Sequence, residues 1–281
     1  YDDLEPDYQA AEALYQVRGE LETDPTEPDH SGQYPHSPVP DEPDIAWLRQ
    51  RLIAAGLHPS SLPLGVDIDR WLARARTPWD AFPNTGVGKL DAESAGLAAA
   101  LRHDNVSLLT GARATQLILG DDDRIAAVEI VRDGATSRIT ADTFVLSAGA
   151  VQTAALLLAS ATDRHPNGLA NASDQVGRNF MNHNSSAVLA LHPLRPNRSV
   201  YQKTLQCNDF YLTGGPNGEP LGNIQLLGKI SGTILAAASP VPAILAGLVA
   251  AHSYDFYAMS EDLPNPQSRV TLKGDQIVLD W

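Results

Sequence analysis

The run Ala141–Ala150 constrains this chain more than any other stretch. Its apolar, partly β-branched residues reach a Ser147-Ala-Gly-Ala150 turn and pass directly into a small-residue helix expected over 151–160. Small residues at such a turn let backbone approach a large flat ligand, and the start of the helix offers unpaired N–H groups to an anion. Gly149 has the most specific task there, because a Cβ would obstruct either a ligand or a close strand–helix contact. A plain buried strand entering a helix, as any α/β protein contains, accounts for the same residues. The run lies in mid-chain, and no Gly-x-Gly-x-x-Gly fingerprint comes before it.

A chain of 281 residues, 43% hydrophobic, can bury a substantial core and is long enough for two domains. Its formal net charge of −14 argues against nonspecific nucleic-acid binding and against docking on an anionic membrane face. Cys207, the one cysteine, excludes an internal disulfide and any multi-cysteine metal or iron–sulfur site. Tyr1-Asp-Asp-Leu-Glu-Pro6 has neither an initiator Met nor the basic and apolar regions of a signal peptide. Val270–Leu272 and Gln276–Trp281 read as two arms of a hairpin around Lys273-Gly-Asp275. Together the two ends suggest an interior portion of something longer. The compartment is left open between cytoplasm and periplasm.

Leu4, Tyr8, Ala11 and Tyr15 stand at helical spacing, with acids early in the segment. From Asp24 to Pro43 the density of Pro, Asp, Ser and His predicts an irregular excursion. Asp44 is the expected cap of a helix whose face carries Ile45, Leu48 and Leu52. An Ala-rich helix is expected over 91–101. Short strands follow at Val106–Leu109, Ala114–Leu119, Ile125–Val131 and Ser137–Ile139, the last three joined by tight Gly/Asp turns. Further strands are expected at 143–147, 186–190 and 254–259, with another within 221–230. Pro240 and Pro242 interrupt the apolar run 234–249 and argue against a transmembrane span.

Gly177-Arg-Asn-Phe-Met-Asn-His183 is polar and unusual. Arg178 suits a phosphate or carboxylate, and Asn182 and His183 offer side-chain hydrogen bonds. A capped loop around a structural salt bridge and a satisfied histidine accounts for it equally. Asn84-Thr-Gly-Val-Gly88 lacks the strand-first context and the third glycine of a phosphate loop, so a plain turn is the default. The histidines do not form a metal spacing, and Asp24, Glu27 and Asp29 near His30 imply no coordination geometry.

The order of these features resembles an interior stretch of the glucose–methanol–choline (GMC) oxidoreductases. The resemblance runs through Tyr1-Asp-Asp-Leu-Glu-Pro-Asp-Tyr8, Val17-Arg-Gly19 and Asp24-Pro-Thr-Glu27. It continues through Gly56-Leu-His-Pro59 with Leu62-Pro-Leu-Gly65, then Asn105-Val, Ala114-Thr and Ala148-Gly-Ala150. Val176–His183 and Pro266-Gln-Ser-Arg-Val-Thr-Leu272 extend it almost to the end.

The resemblance implies an α/β, overall α+β, fold. It would combine an incomplete Rossmann-type FAD-binding domain with an incomplete substrate domain of antiparallel sheet and helices. Expected boundaries are a helical and irregular segment at 1–66, a partial FAD-binding domain at 67–182 and a partial substrate domain at 183–281. It further implies FAD as cofactor and hydride transfer to flavin from the CH–OH group of a sugar or choline-like polyol. Oxygen, a quinone or a carrier protein would then reoxidise the flavin. Val106, Ala114, Ser147, Ala148, Gly149, Asn182 and His183 fall at the cofactor by this resemblance, and no residue falls at a catalytic or metal position. Three departures stand beside it. The amino-terminal dinucleotide fingerprint and the carboxy-terminal histidine with its partner have no match, and Arg74–Pro83 holds no cysteine where sugar-oxidising relatives often do. A chain without those parts is expected to bind FAD weakly and turn nothing over. The alternative is a noncatalytic binding module derived from such an enzyme, with an apolar groove near 234–249.

Overall fold

The structure, a computed structural model, describes residues 2–74 and 88–281. Helix α1 spans Glu5–Leu14, α2 Pro43–Ala54 and α3 Ile68–Arg74, with the short strand β1 at Pro59–Ser61. A π-type turn at Ala92–Leu97 leads into α4 at Ala98–Ala100. Strands β2 (Ala112–Leu119), β3 (Ile125–Arg132) and β4 (Ala135–Ile139) precede α5 at Gly149–Ala159. Then come β5 (Asn184–Leu191), β6 (Leu205–Cys207), β7 (Asn223–Leu226), α6 (Gly232–Ala238) and α7 (Ala243–His252). Strands β8 (Ser253–Ser260), β9 (Arg269–Lys273) and β10 (Gln276–Asp280) complete the order. The chain divides into two compact units, residues 1–106 with 183–261 and residues 107–182 with 262–281.

The first unit is built on an antiparallel sheet of order β1-β6-β7-β8-β5. Its register sets Leu205, Leu226, Tyr254 and Phe256 on one face, where they pack with Ile45 and Leu48 of α2. A second cluster joins Val39, Val66, Ile68, Trp71 and Tyr201, with Trp71 edge-on to Tyr201 at 4.8 Å between ring centroids. Carboxylates supply much of the remaining cohesion. The N-cap of α2 is Glu42, not the expected Asp44, and its carboxylate accepts from the Val200 and Tyr201 N–H groups at 2.9 and 2.7 Å. Asp44 lies in the first turn and accepts from Arg195 Nη2 at 2.7 Å. Pro43 begins the helix, and the chain enters it two residues earlier than the capping pattern suggested.

Helix α1 departs from its amphipathic reading, because Leu4 and Tyr8 are exposed and its buried residue is Glu5. Glu5 accepts from Ser31 N–H and Ser31 Oγ, both at 2.7 Å, and from Gln9 Nε2 at 2.8 Å. Next to it His30 faces two acceptors, the Gly32 carbonyl from Nδ1 at 2.9 Å and the Glu12 carboxylate from Nε2 at 3.0 Å. Both ring nitrogens therefore need a proton, and the cation is the form that satisfies them. Burial, the largest single influence on His30, works against the charge. The hydrogen bonds to Glu12 and Gly32, with the charges of Glu12 and Glu5, outweigh it and raise the pKa.

The second unit carries the antiparallel meander β2-β3-β4, the hairpin β9-β10 and helix α5. Ala154 and Ala155 of α5 pack with Val270, beside Val151, Val176, Phe180, Leu272 and Ile277. Ser160, fully buried, closes the helix: its Oγ donates to the Leu156 carbonyl at 2.6 Å and accepts from Leu117 N–H at 2.8 Å. Two expected strands are absent. Residues 106–109 and 143–147 form no ladder, although the latter alternates as a strand would, with Val145 81% exposed and Phe144 and Leu146 turned inward. An alternating pattern records which side chains are buried, but a strand also needs neighbours for its N–H and C=O groups. The described chain supplies none there.

Two outcomes are expected. A folded-state pKa raised at His30 gives stability that is fully present below the ordinary imidazole value of about 6.5 and is lost as pH rises through the folded value. Denaturation midpoints measured across that range should fall with pH in the wild type and flatten in His30→Asn. Ser160→Ala removes the partner of a buried N–H and should cost about 1–3 kcal/mol. Hydrogen exchange should speed up at the Leu117 amide.

Candidate functional site

Gly149 sits at the start of α5 with φ +80°, in the left-handed region that side-chain-bearing residues rarely adopt. A Cβ built there would meet no atom within 4 Å. The expectation of a tight strand–helix contact is therefore not met; glycine is required by the backbone turn, and its open side faces free space. The helix that follows has no side-chain cap at Ala148 and no acidic residue in its first turn. Ala148 N–H donates to Thr153 Oγ1 at 3.2 Å. Ser147, Ala148 and Gly149 are all exposed. The result is a short, smooth surface of small residues ending in helix amides, with the partial positive charge that a helix start carries.

The other expected cofactor residues are distributed over both units. Ala114 is in β2 of the second unit, at a register shift where Thr115 bulges between Ala114 and Gln116. Asn182 belongs to the second unit and its N–H faces the Asp262 carboxylate at 3.4 Å. Val106 and His183 belong to the first unit, and both are exposed. Asn84–Val87 and Ala75–Pro83, with the cysteine-free segment, lie outside the described residues.

Gly177 and Arg178 have structural tasks. Gly177 adopts φ +82°, and a Cβ there would come within 2.5 Å of the Val270 carbonyl. Its own carbonyl accepts from Val270 N–H at 2.8 Å, and Phe180 N–H donates to Ser268 O at 2.9 Å. Arg178 grips Asp174 and donates from Nη1 to the Pro266 carbonyl at 2.7 Å, while Arg269 Nη2 reaches the other Asp174 oxygen at 3.3 Å. The Arg178 hydrogen bond, chiefly, holds the Asp174 carboxyl below its ordinary range. Segments 176–183 and 266–272 thus pack on one another, and the arginine left open between anion binding and a salt bridge is in a salt bridge.

One group of polar residues escaped the sequence reading. Register across β6, β7, β8 and β5 aligns Gln206, Gln225, Tyr257 and Ala187 in one row on the sheet face opposite α2. Asn223, Met259 and Ser185 form the neighbouring row. The signal was the period-2 alternation of Leu205-Gln-Cys207 and Asn223-Ile-Gln-Leu226, which places amides on one face and apolar groups on the other.

The model of the GMC oxidoreductase family matches residues 84–185. Over that stretch the chain is similar to the GMC oxidoreductases. The chain is 26% identical to the fructose dehydrogenase large subunit of Gluconobacter japonicus over 98% of its own length and 53% of that protein. It is 41% identical to the paromamine 6'-oxidase of Streptomyces fradiae over 44% of this chain and 24% of that protein. Pyridoxine 4-oxidase from Mesorbium loti, at 20% identity, superposes over the whole chain and 53% of its own with a TM-score of 0.62, which shows the shared fold. The chain spans about half the length of the curated relatives that it matches almost throughout. Mixed helices and antiparallel sheets agree with the α+β fold expected from the resemblance.

Arg178→Ala should lower the melting temperature, because it takes from Asp174 its main donor and leaves the Pro266 carbonyl without the Arg178 hydrogen bond. The loss in melting temperature should be the same with and without added FAD. A loss confined to the FAD-containing sample would return the arginine to a phosphate role.

Proposed function

We propose that this chain supplies parts of the flavin and substrate regions of an FAD-dependent oxidoreductase acting on the CH–OH group of a sugar or choline-like polyol. The observation that carries the reading is the Gly149 turn: a family-matched segment in which small exposed residues, an uncapped helix start and an open Cβ direction coincide. Those features fit a flat, anionic dinucleotide, since no acid stands in the first turn of α5 and, among the described residues, nothing fills the space beside the Gly149 backbone. In this reading Ser147, Ala148 and Gly149 approach the nucleotide part of FAD, and Val106, Ala114, Asn182 and His183 lie in the segments near it. Bound flavin would supply the hydride acceptor. The chain's own residues bind and orient. The helix amides of α5 offer donors, Gly149 permits close approach, and the row Gln206, Gln225 and Tyr257 offers hydrogen bonds to hydroxyl groups. No residue of the chain is assigned the proton from the alcohol.

The exposed Ile244, Leu245 and Leu248 of α7, 83%, 52% and 56% accessible, favour the second reading, a noncatalytic module that presents an apolar surface. Flavin content separates the two. Gly134, in the β3–β4 turn, has φ +77° and an equally open Cβ direction, so it is a control matched in backbone strain. In the intact protein Gly134→Ala and Gly149→Ala should each cost about 1–2 kcal/mol. Only Gly149→Ala should lower flavin absorbance per mole of protein. Equal flavin in both variants defeats the cofactor reading at this turn, and absence of any flavin band in the wild type favours the module.

A further inference from the structure

We infer that the first unit contains a binding site for a protonated amino-polyol, such as an amino sugar, in a polar cavity of about 360 Å³. The cavity lies between the excursion after α1 and the edge of the sheet formed by β1, β6 and β7. Its volume falls within the range of small-molecule sites, about 300–1,000 Å³. Three properties of its wall decide the ligand.

The first is a set of amides held in place. Asp24 Oδ2 accepts from Gln206 Nε2 at 3.0 Å and from Asn208 Nδ2 at 2.6 Å, while its Oδ1 accepts from Thr26. Asn208 Oδ1 in turn accepts from Asn223 Nδ2 at 2.6 Å. Asn223 Nδ2 also reaches Gln206 Oε1 at 3.5 Å, so each amide is tied into one network and keeps further donor or acceptor capacity. Asn223 Oδ1 is buried and has no partner among the described residues. A buried acceptor without a donor carries a desolvation cost, which a ligand O–H or N–H would remove. Planar amides with spare capacity match the paired donor and acceptor character of vicinal hydroxyls.

The second is charge. Glu20, Asp24 and Glu27 line the cavity, and among the described residues no Lys, Arg or His does. The cations nearby are engaged outside it. Arg49 is paired with Asp41 while touching Ser61 Oγ, and His30 is paired with Glu12. Asp24 is saturated by its four donors, but among the described residues Glu27 receives Tyr34 O–H on Oε1 alone, and Glu20 receives Ser61 O–H at 3.3 Å on Oε2 alone. Each keeps one carboxylate oxygen for an ammonium group. The third is a pair of aromatic rings, Tyr34 and Tyr211, in the same wall. Phenol faces suit the C–H side of a sugar ring and a cation alike. A neutral sugar would use the amides and rings but leave the carboxylates without a counter-charge, and an anion would be repelled.

This inference stands on the cavity and not on the flavin reading, and its test contains no flavin. Calorimetric titration of the 281-residue chain with glucosamine and with glucose at low salt reads it directly. Glucosamine should bind at least about 10-fold tighter than glucose, an interval of about 1.4 kcal/mol. Glu20→Gln and Glu27→Gln keep an acceptor for Ser61 and Tyr34, so both variants should remain folded by circular dichroism. Together they should bring the two affinities level. Gln206→Leu should weaken both sugars. Equal binding of the two sugars by the wild type, an unchanged preference in the double variant, or no binding of either sugar overturns the inference.

Discussion

The buried hydroxyl of Ser160 holds the second unit in register. Helix α5 is apolar nearly all round, so its own pattern does little to fix its rotation. Ser160 Oγ removes that freedom by joining the last turn of the helix to the Leu117 amide in the middle of β2. The exit is equally constrained. Leu169 N–H donates to the Leu157 carbonyl at 2.9 Å, and Gly168 passes so close that a Cβ would lie 2.9 Å from that oxygen. With its carboxy-terminal end held, the other end of the helix is aimed, and the Gly149 turn is presented as a consequence of packing more than ten residues away.

How much of this was legible in the sequence depends on what kind of interaction each element needs. The meander β2-β3-β4 and the hairpin β9-β10 need only neighbours in sequence, and their turns and alternation placed them correctly. The division of the apolar run into α6 and α7 follows from Pro240 and Pro242, whose ring geometry no context overrides. Residues 106–109 and 143–147 failed because a ladder is a property of pairs of segments, and side-chain pattern does not report whether the second segment is there. The Gly177-Arg178 segment was left open between two readings for a different reason. Its polar character is real, but the groups that satisfy it, at Pro266–Val270, are some ninety residues away and invisible to local reading. The amide row of the five-stranded sheet was hidden for the same reason. Gln206, Gln225 and Tyr257 become a surface only when the register aligns them.

Acidic residues in the first unit serve as structural acceptors. Glu5 takes two donors from Ser31, Glu42 takes the amides of Val200 and Tyr201, Asp24 takes two side-chain amides, and Asp41 takes the Arg49 guanidinium. A carboxylate that accepts several N–H or O–H bonds is a strong tie, because hydrogen bonds to a charged group exceed neutral ones in strength. The net charge of −14 is therefore partly a count of such ties, and it explains how the proline-rich excursion after α1 is held without an apolar core of its own.

That distribution gives the start of α5 its meaning. Acids occupy the first turns of α1 and α2, where they complement the helix dipole, and Asp91 caps the π-type turn in a reciprocal pair with Ser94. Among the described helices of eight residues or more, α5 and α7 begin with neither an acid nor a side-chain cap. Helix α7 starts beside the exposed apolar residues Ile244 and Leu245, where no anion would be solvated well. Helix α5 starts on Ser147, Ala148 and Gly149, exposed and small, in a chain that elsewhere places carboxylates freely. An acid in that first turn would stabilise the isolated helix by about 0.3–1 kcal/mol at low ionic strength. Its absence leaves the positive end of the dipole without a negative side chain in its own first turn, as the proposed approach of an external anion would require.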